Sequence, residues 1–230
     1  MVNFSFVWRY LPDLIEGTRA TFLLSAEVIA LGTLVGVALV PLRVARHALL
    51  RWLGWLVVNP FRILPALVLL VWGFYALPMV TGRRFEPWTV AVIALGFNMG
   101  GYCAEIFRKA VEEVPAEHVE AAQLLGFRRS TVWWQVILPL AWRNAGIPYL
   151  NQVLQTVKLT VLAAVISVRE IFHVVADVIQ MTNRPLEMYT VLAVVLFVPL
   201  LLLTLSTEWL EARIARGGTV RTWAWIEGAA

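Results

Sequence analysis

Apolar positions along this chain gather into five long runs, rather than the narrow stripes of a soluble amphipathic helix or the alternation of a half-buried strand. The first, residues 21–42, is interrupted only by Glu27. At 1.5 Å per helical residue it is long enough to cross ~30 Å of hydrocarbon. The others occupy residues 63–80, 88–107, 146–168 and 188–207. The pattern predicts an all-α membrane protein with five transmembrane helices. Residues 1–20 mix Arg9, Asp13, Glu16 and Arg19 with aromatic and aliphatic side chains, too polar for a signal-peptide core. They read as an interfacial segment leading into an uncleaved anchor. Residues 21–212 form the membrane domain, and residues 213–230 a loosely ordered tail.

Between the third and fourth runs lies a polar loop, 108–145, with a short helix marked at both ends. Pro115 suits a first helical position, and Gly126 suits the residue just past the end. Glu117 and Glu120 sit near the positive end of the helix dipole. Ala121, Leu124 and Leu125 fall on one side, and the small Ala121 and Ala122 let another surface approach closely. Ser130 caps a second helix over 131–138 that Pro139 is expected to stop.

Composition strengthens the membrane reading: 60% of residues are hydrophobic, 15% are charged and the mean hydropathy is +0.75. The formal charge of +4 implies no nucleic-acid partner, because Lys and Arg accumulate in cytoplasmic loops for topological reasons. Arg43, Arg46, Arg51, the five basic residues of the 108–145 loop and Arg213, Arg216 and Arg221 make eleven on one side. Arg9, Arg19, Arg83, Arg84, Arg169 and Arg184 make six on the other. The N-terminus is therefore expected outside, with the loop and the C-terminus in the cytoplasm. Cys103 is the sole cysteine, so it reads as a packing residue, and the three histidines have no HExxH-like spacing. No metal site is expected.

An ionisable side chain at membrane depth costs at least ~2.5–3.5 kcal/mol, so each one needs a partner or a water-lined route. Asn98, Tyr102 and Glu105 share a face of the third span, with Gly100 and Gly101 allowing close approach. Asn151, Gln155 and Lys158 repeat the spacing in the fourth, joined by Gln152, Thr156 and Thr160. Glu27 stands alone in the first. These residues either line a polar route for a hydrophilic solute or act as internal glue, Lys158 pairing with Glu27 or Glu105. Arg62 reads as an interfacial anchor.

Glu120-Ala121-Ala122, three residues, Gly126, nine residues, then Val136-Ile137-Leu138-Pro139 resembles the EAA loop of ATP-binding cassette (ABC) importer permeases. Asn98-Met99-Gly100-Gly101-Tyr102-Cys103-Ala104-Glu105-Ile106-Phe107-Arg108 resembles the N-S-G-A-Y-x-A-E-I-F-R stretch of permeases for polar amino acids, and residues 17–43 and 147–168 are similar to that family too. The resemblance implies a type I importer permease of the bacterial inner membrane working as a dimer. It implies two ATPase subunits, an external solute-binding protein and a solute such as histidine, arginine, glutamine, glutamate or an opine. Glu117, Glu120, Ala121, Ala122, Leu124 and Gly126 would then couple to the ATPase. Glu27, Asn98, Tyr102, Glu105, Asn151, Gln155, Lys158 and Thr160 would line the route. Two departures stand out: Phe61-Arg62-Ile63-Leu64-Pro65 replaces F-R-G-T-P, and Lys158-Leu159-Thr160-Val161-Leu162 replaces K-D-T-S-L. The missing acid suits one half of a heteromeric pair, although a homodimer for a different solute fits as well.

No G-x-x-x-x-G-K-[ST] occurs, so the chain is expected to hold no cofactor, with ATP and magnesium used by the partner ATPase. The alternative is an ion-coupled secondary transporter, which would favour broken helices and internal repeats; the hydropathy pattern reveals neither. A membrane-embedded enzyme would need a nucleophile–base or metal constellation, and none is visible.

Overall fold

The computed structural model describes residues 4–45 and 47–216, and all elements among them are helical. A 3-10 turn, Ser5–Tyr10, leads into α1, Leu11–Arg43. α2 spans Ala48–Ile63 and α3 spans Ala66–Thr81, the two meeting at a bend of 98°. α4 is Pro87–Glu112, α5 is Ala116–Leu124 and α6 is Arg129–Ile166. α7, Ile171–Thr182, and α8, Pro185–Arg216, complete the described chain. Among the described residues α1, α4, α6 and α8 are long and apolar enough to cross a bilayer, and the bent pair α2–α3 makes a fifth crossing if counted as one span. Residues 217–230, most of the expected tail, lie outside the described residues.

Close packing of α1 on α4 forms the centre of the fold, and glycines set the distance. A Cβ on Gly32 would stand 2.7 Å from Met99, one on Gly96 2.6 Å from Leu31 and one on Gly100 2.7 Å from Val35. Each helix offers two glycines four residues apart to the other, so dispersion contacts replace a hydrophobic driving force that lipid cannot supply. Around this pair Leu24, Val28, Leu70, Leu95 and Ile166 are buried together. A second cluster, Leu14, Ile171, Val175, Val178 and Met188, ties α1 to α7 and α8.

Three boundaries differ from the sequence expectation. The expected interfacial segment is continuous with the first span from Leu11 onward, because Gly17 lies against α7, where a Cβ would stand 2.9 Å from Val174. Pro139 does not stop a helix. A π turn, Trp133–Ile137, precedes it, and the extra residue moves the carbonyl that the ring would strike. The same device recurs at Trp72–Ala76 before Pro78. Third, the run expected at 63–80 is preceded by a second helix, α2, that meets it at a sharp break, and Pro65 causes the break: its ring pushes Leu64 into an extended conformation, φ −70° and ψ 133°.

Candidate functional site

The break leaves the last carbonyls of α2 without their intrahelical partners. A helical Phe61 carbonyl would accept from residue 65, but that residue is proline and has no N–H. Asn98 Nδ2 donates to Phe61 O instead, at 2.6 Å, and Tyr102 Oη donates to Arg62 O at 3.1 Å. Two polar residues of α4, one turn apart, thereby finish a helix that proline cuts short.

One turn further along α4, Glu105 collects arginines from three helices. Arg43 Nη2 of α1 lies 2.7 Å away, Arg108 Nη2 of α4 2.6 Å and Arg62 Nη1 of α2 3.7 Å. Arg108 also pairs with Glu112, and Arg62 stacks over the Tyr102 ring, 5.6 Å from its centroid. The expected pairing of Lys158 with Glu105 or Glu27 is not found, because both acids are taken. Glu27 accepts from Trp88 Nε1 at 2.8 Å, and Lys158 makes no hydrogen bond or ion pair among the described residues.

Where the finished helix end meets α6, a cavity of about 370 Å³ opens, lined by Arg62, Asn98, Tyr102, Gln152, Gln155 and Leu159 together with the chain at 63–66. Of the residues expected to line a route, Asn98, Tyr102 and Gln155 therefore share one cavity. Glu105 stands behind it, through Arg62. Thr160 is fully buried, bonded to Ser25 Oγ at 2.9 Å, and lies outside the lining. Asn151 and Lys158 are exposed on the face of α6 that also carries Gln155. Arg62, expected as an interfacial anchor, lines this cavity as its cation, carried there by the bend at Pro65 three residues on. Leu159 stands where the resembling family has an aspartate, so this cavity has a cation and no lining acid.

At the end of the molecule where α4 stops, α5 protrudes. It begins after Pro115 and closes at Gly126, whose φ of +77° only glycine adopts without strain. Glu117, Glu120 and Ala121 are exposed, Ala122 is buried against the base, and Leu124 and Leu125 are 89% and 75% exposed. Ala121, Ala122 and Leu125 edge a groove continued by Phe127, Val136 and Pro139.

Glu170, in the connector 167–170 at the opposite end, is a functional-looking group the sequence reading did not single out. It is fully buried at the start of α7, where its Oε1 accepts from His173 N at 3.0 Å. Its Oε2 lies 3.3 Å from Thr21 Oγ1, which accepts from Ile171 N and donates to Gly17 O. Thr21 thus spends its proton elsewhere, and burial pushes the Glu170 carboxyl up to about 7.

Residues 20–216 match a family described as binding-protein-dependent transport system inner membrane component. Among curated proteins the chain is 32% identical to the glutamine transport system permease protein GlnP of Escherichia coli (strain K12), over 92% of this chain and 97% of that one. It is likewise 32% identical to the octopine transport system permease protein OccM of Rhizobium meliloti, over 80% and 78%. Among solved structures it resembles a chain of an amino acid ABC transporter crystallised with histidines, with TM-score 0.87, 25% identity and coverage of 93% and 99%.

Proposed function

The chain belongs to the family of binding-protein-dependent transport system inner membrane components, and we propose that it carries a polar amino acid or a close relative inward by alternating access, driven by ATP. It is a multi-pass permease subunit of the inner membrane. An ion-coupled secondary transporter finds no support, since the chain matches a binding-protein-dependent transport family and resembles a chain of an amino acid ABC transporter.

One observation carries the coupling: α5 stands out from the membrane domain with two acidic residues and two leucines exposed. Such a surface suits an ATPase subunit, which binds ATP and magnesium that this chain has no loop to cradle. With eleven basic residues on that side, the positive-inside rule places it in the cytoplasm and the N-terminus outside. Closure of two ATPases carries α5 inward on the membrane domain and opens the cavity outward, where a solute-binding protein delivers the solute. Hydrolysis resets it.

Asn151, Gln155 and Lys158 are exposed on one face of a membrane helix, a costly arrangement against lipid. A second permease subunit covering that face relieves the cost and closes the route. Within this half of the route Arg62 suits a solute carboxylate, and no lining acid is available for an ammonium group. The ammonium site then falls to the partner, which favours a heteromeric pair.

Affinity capture of the chain from its native membrane, with every co-purifying subunit identified, tests this reading. An ATPase together with a related permease is the expected result. Capture without any ATPase would overturn the coupling.

A further inference from the structure

The cavity of about 370 Å³ at the end of α2 is marked as much by what its wall lacks as by what it holds. Arg62, Asn98, Tyr102, Gln152 and Gln155 are its polar residues, and no carboxylate lines it among the described residues. Glu105, the acid within ion-pairing distance of Arg62, stays outside the lining: it holds Arg43 at 2.7 Å and Arg108 at 2.6 Å and stands 3.7 Å from Arg62. Arg62 Nη1 also donates to Asn59 Oδ1 at 3.2 Å, while its Nε is buried without a hydrogen-bond partner. Asn98 and Tyr102 have each committed a donor to the broken end of α2. Gln152 and Gln155 have not, for their side-chain amides make no hydrogen bond among the described residues. The remaining wall, Leu159 of α6 and the chain at 63–66, is apolar.

We propose that this cavity admits an amino acid whose side chain is an uncharged carboxamide and turns away one whose side chain is a cation, with Leu159 setting the exclusion. The inference rests on the reading of the chain as a permease for polar amino acids, and narrows it. The α-carboxylate goes to Arg62, whose planar fork takes it bidentately. The α-ammonium is common to all the candidates and falls to the second subunit, so the side chain decides. A carboxamide brings an acceptor and two N–H donors, and pairs reciprocally with the free amides of Gln152 and Gln155. A second ammonium or a guanidinium finds amide oxygens but no counter-charge. It also meets Arg62 in the wall, and Lys158 is exposed three residues on from Gln155 along the same helix. Leaving water for such a wall costs a charge far more than an amide. Leu159 follows Gln155 by four residues and lies on the same side of α6, so an acid there would supply the missing counter-charge.

Equilibrium binding of labelled glutamine and labelled arginine to the detergent-purified importer complex, without its solute-binding protein, tests the selectivity of the membrane cavity itself. Glutamine should bind roughly tenfold more tightly or better, the effect of one uncompensated like charge. Leu159→Asp should close that gap by gaining arginine, whereas Leu159→Asn, of similar size and without the charge, should not. The comparison on the unaltered complex decides the matter even if Leu159→Asp fails to assemble. Arginine bound as tightly as glutamine would overturn this inference and leave the permease reading intact. Binding of neither would overturn it too, and ATP-driven uptake of either amino acid into proteoliposomes, with the solute-binding protein restored, would then show whether the permease reading survives.

Discussion

Asn98 Nδ2 donates to the carbonyl of Phe61 at 2.6 Å, across 37 residues of chain, and that carbonyl is available only because Pro65 has no N–H to give it. A polar residue inside the membrane and a proline in a different span are thus two halves of one structure. Removing the first leaves a buried acceptor without a partner, at about 1–3 kcal/mol. Asn98→Ala should therefore lower the unfolding temperature of the purified chain measurably. Tyr102→Phe, which strips the longer bond to Arg62 O, should lower it less.

Glu105 is expected to matter for folding before it matters for transport. It is the shared anion of three guanidinium groups, and breaking such a partly buried cluster by removing one partner costs about 3–5 kcal/mol. Glu105→Ala should cut the yield of membrane-inserted protein sharply. Glu27→Gln keeps an acceptor for Trp88 and should leave the yield near that of the unaltered chain. A comparison of the two in fluorescence-detected size exclusion checks the contrast.

The buried carboxyl of Glu170 makes stability depend on pH. Its value rises from 4.5 to about 7 on folding, so between these limits the folded chain holds the proton that the unfolded chain has released. Stability is fullest below pH 4.5, falls as pH rises and levels off above 7. Thermal unfolding between pH 5 and 8 should show that decline, and Glu170→Gln should remove most of it. An unchanged pH profile in the variant would assign the dependence to other groups.

Hydropathy was enough to find the crossings, because a membrane helix must be apolar along a length that the bilayer dictates. It could not show that the run at 63–80 is joined through a sharp bend at Leu64–Pro65 to a preceding helix, since the direction in which a chain leaves a proline is not a property of its hydropathy. The polar residues of α4 were equally visible, as a face of Asn98, Tyr102 and Glu105, yet their partners lie on helices whose placement no local spacing encodes. Lys158 illustrates the limit. Its charge suggested an internal partner, and it is exposed with no ion pair among the described residues, a placement that no local spacing encodes.

Gly32 and Gly96 make a further case that only packing reveals. Substituting Gly32 by valine places methyl groups where Met99 already stands, and Gly96→Val meets Leu31. Either should abolish insertion-competent folding or reduce it severely, whereas Gly146→Ala, with open space around it, should be tolerated. Protease resistance of the membrane-inserted protein distinguishes the two outcomes.

The measurement that bears most directly on the account is uptake of labelled polar amino acids into proteoliposomes holding the co-purified complex with its solute-binding protein. Uptake should require ATP and ignore imposed proton or sodium gradients. It should also fail with Glu120→Lys, which reverses a charge on the exposed face of α5 and should release the ATPase while leaving the membrane domain folded. Uptake that runs on an ion gradient without ATP, or that survives Glu120→Lys undiminished, would contradict the assignment of this chain as an ATP-coupled permease working through α5.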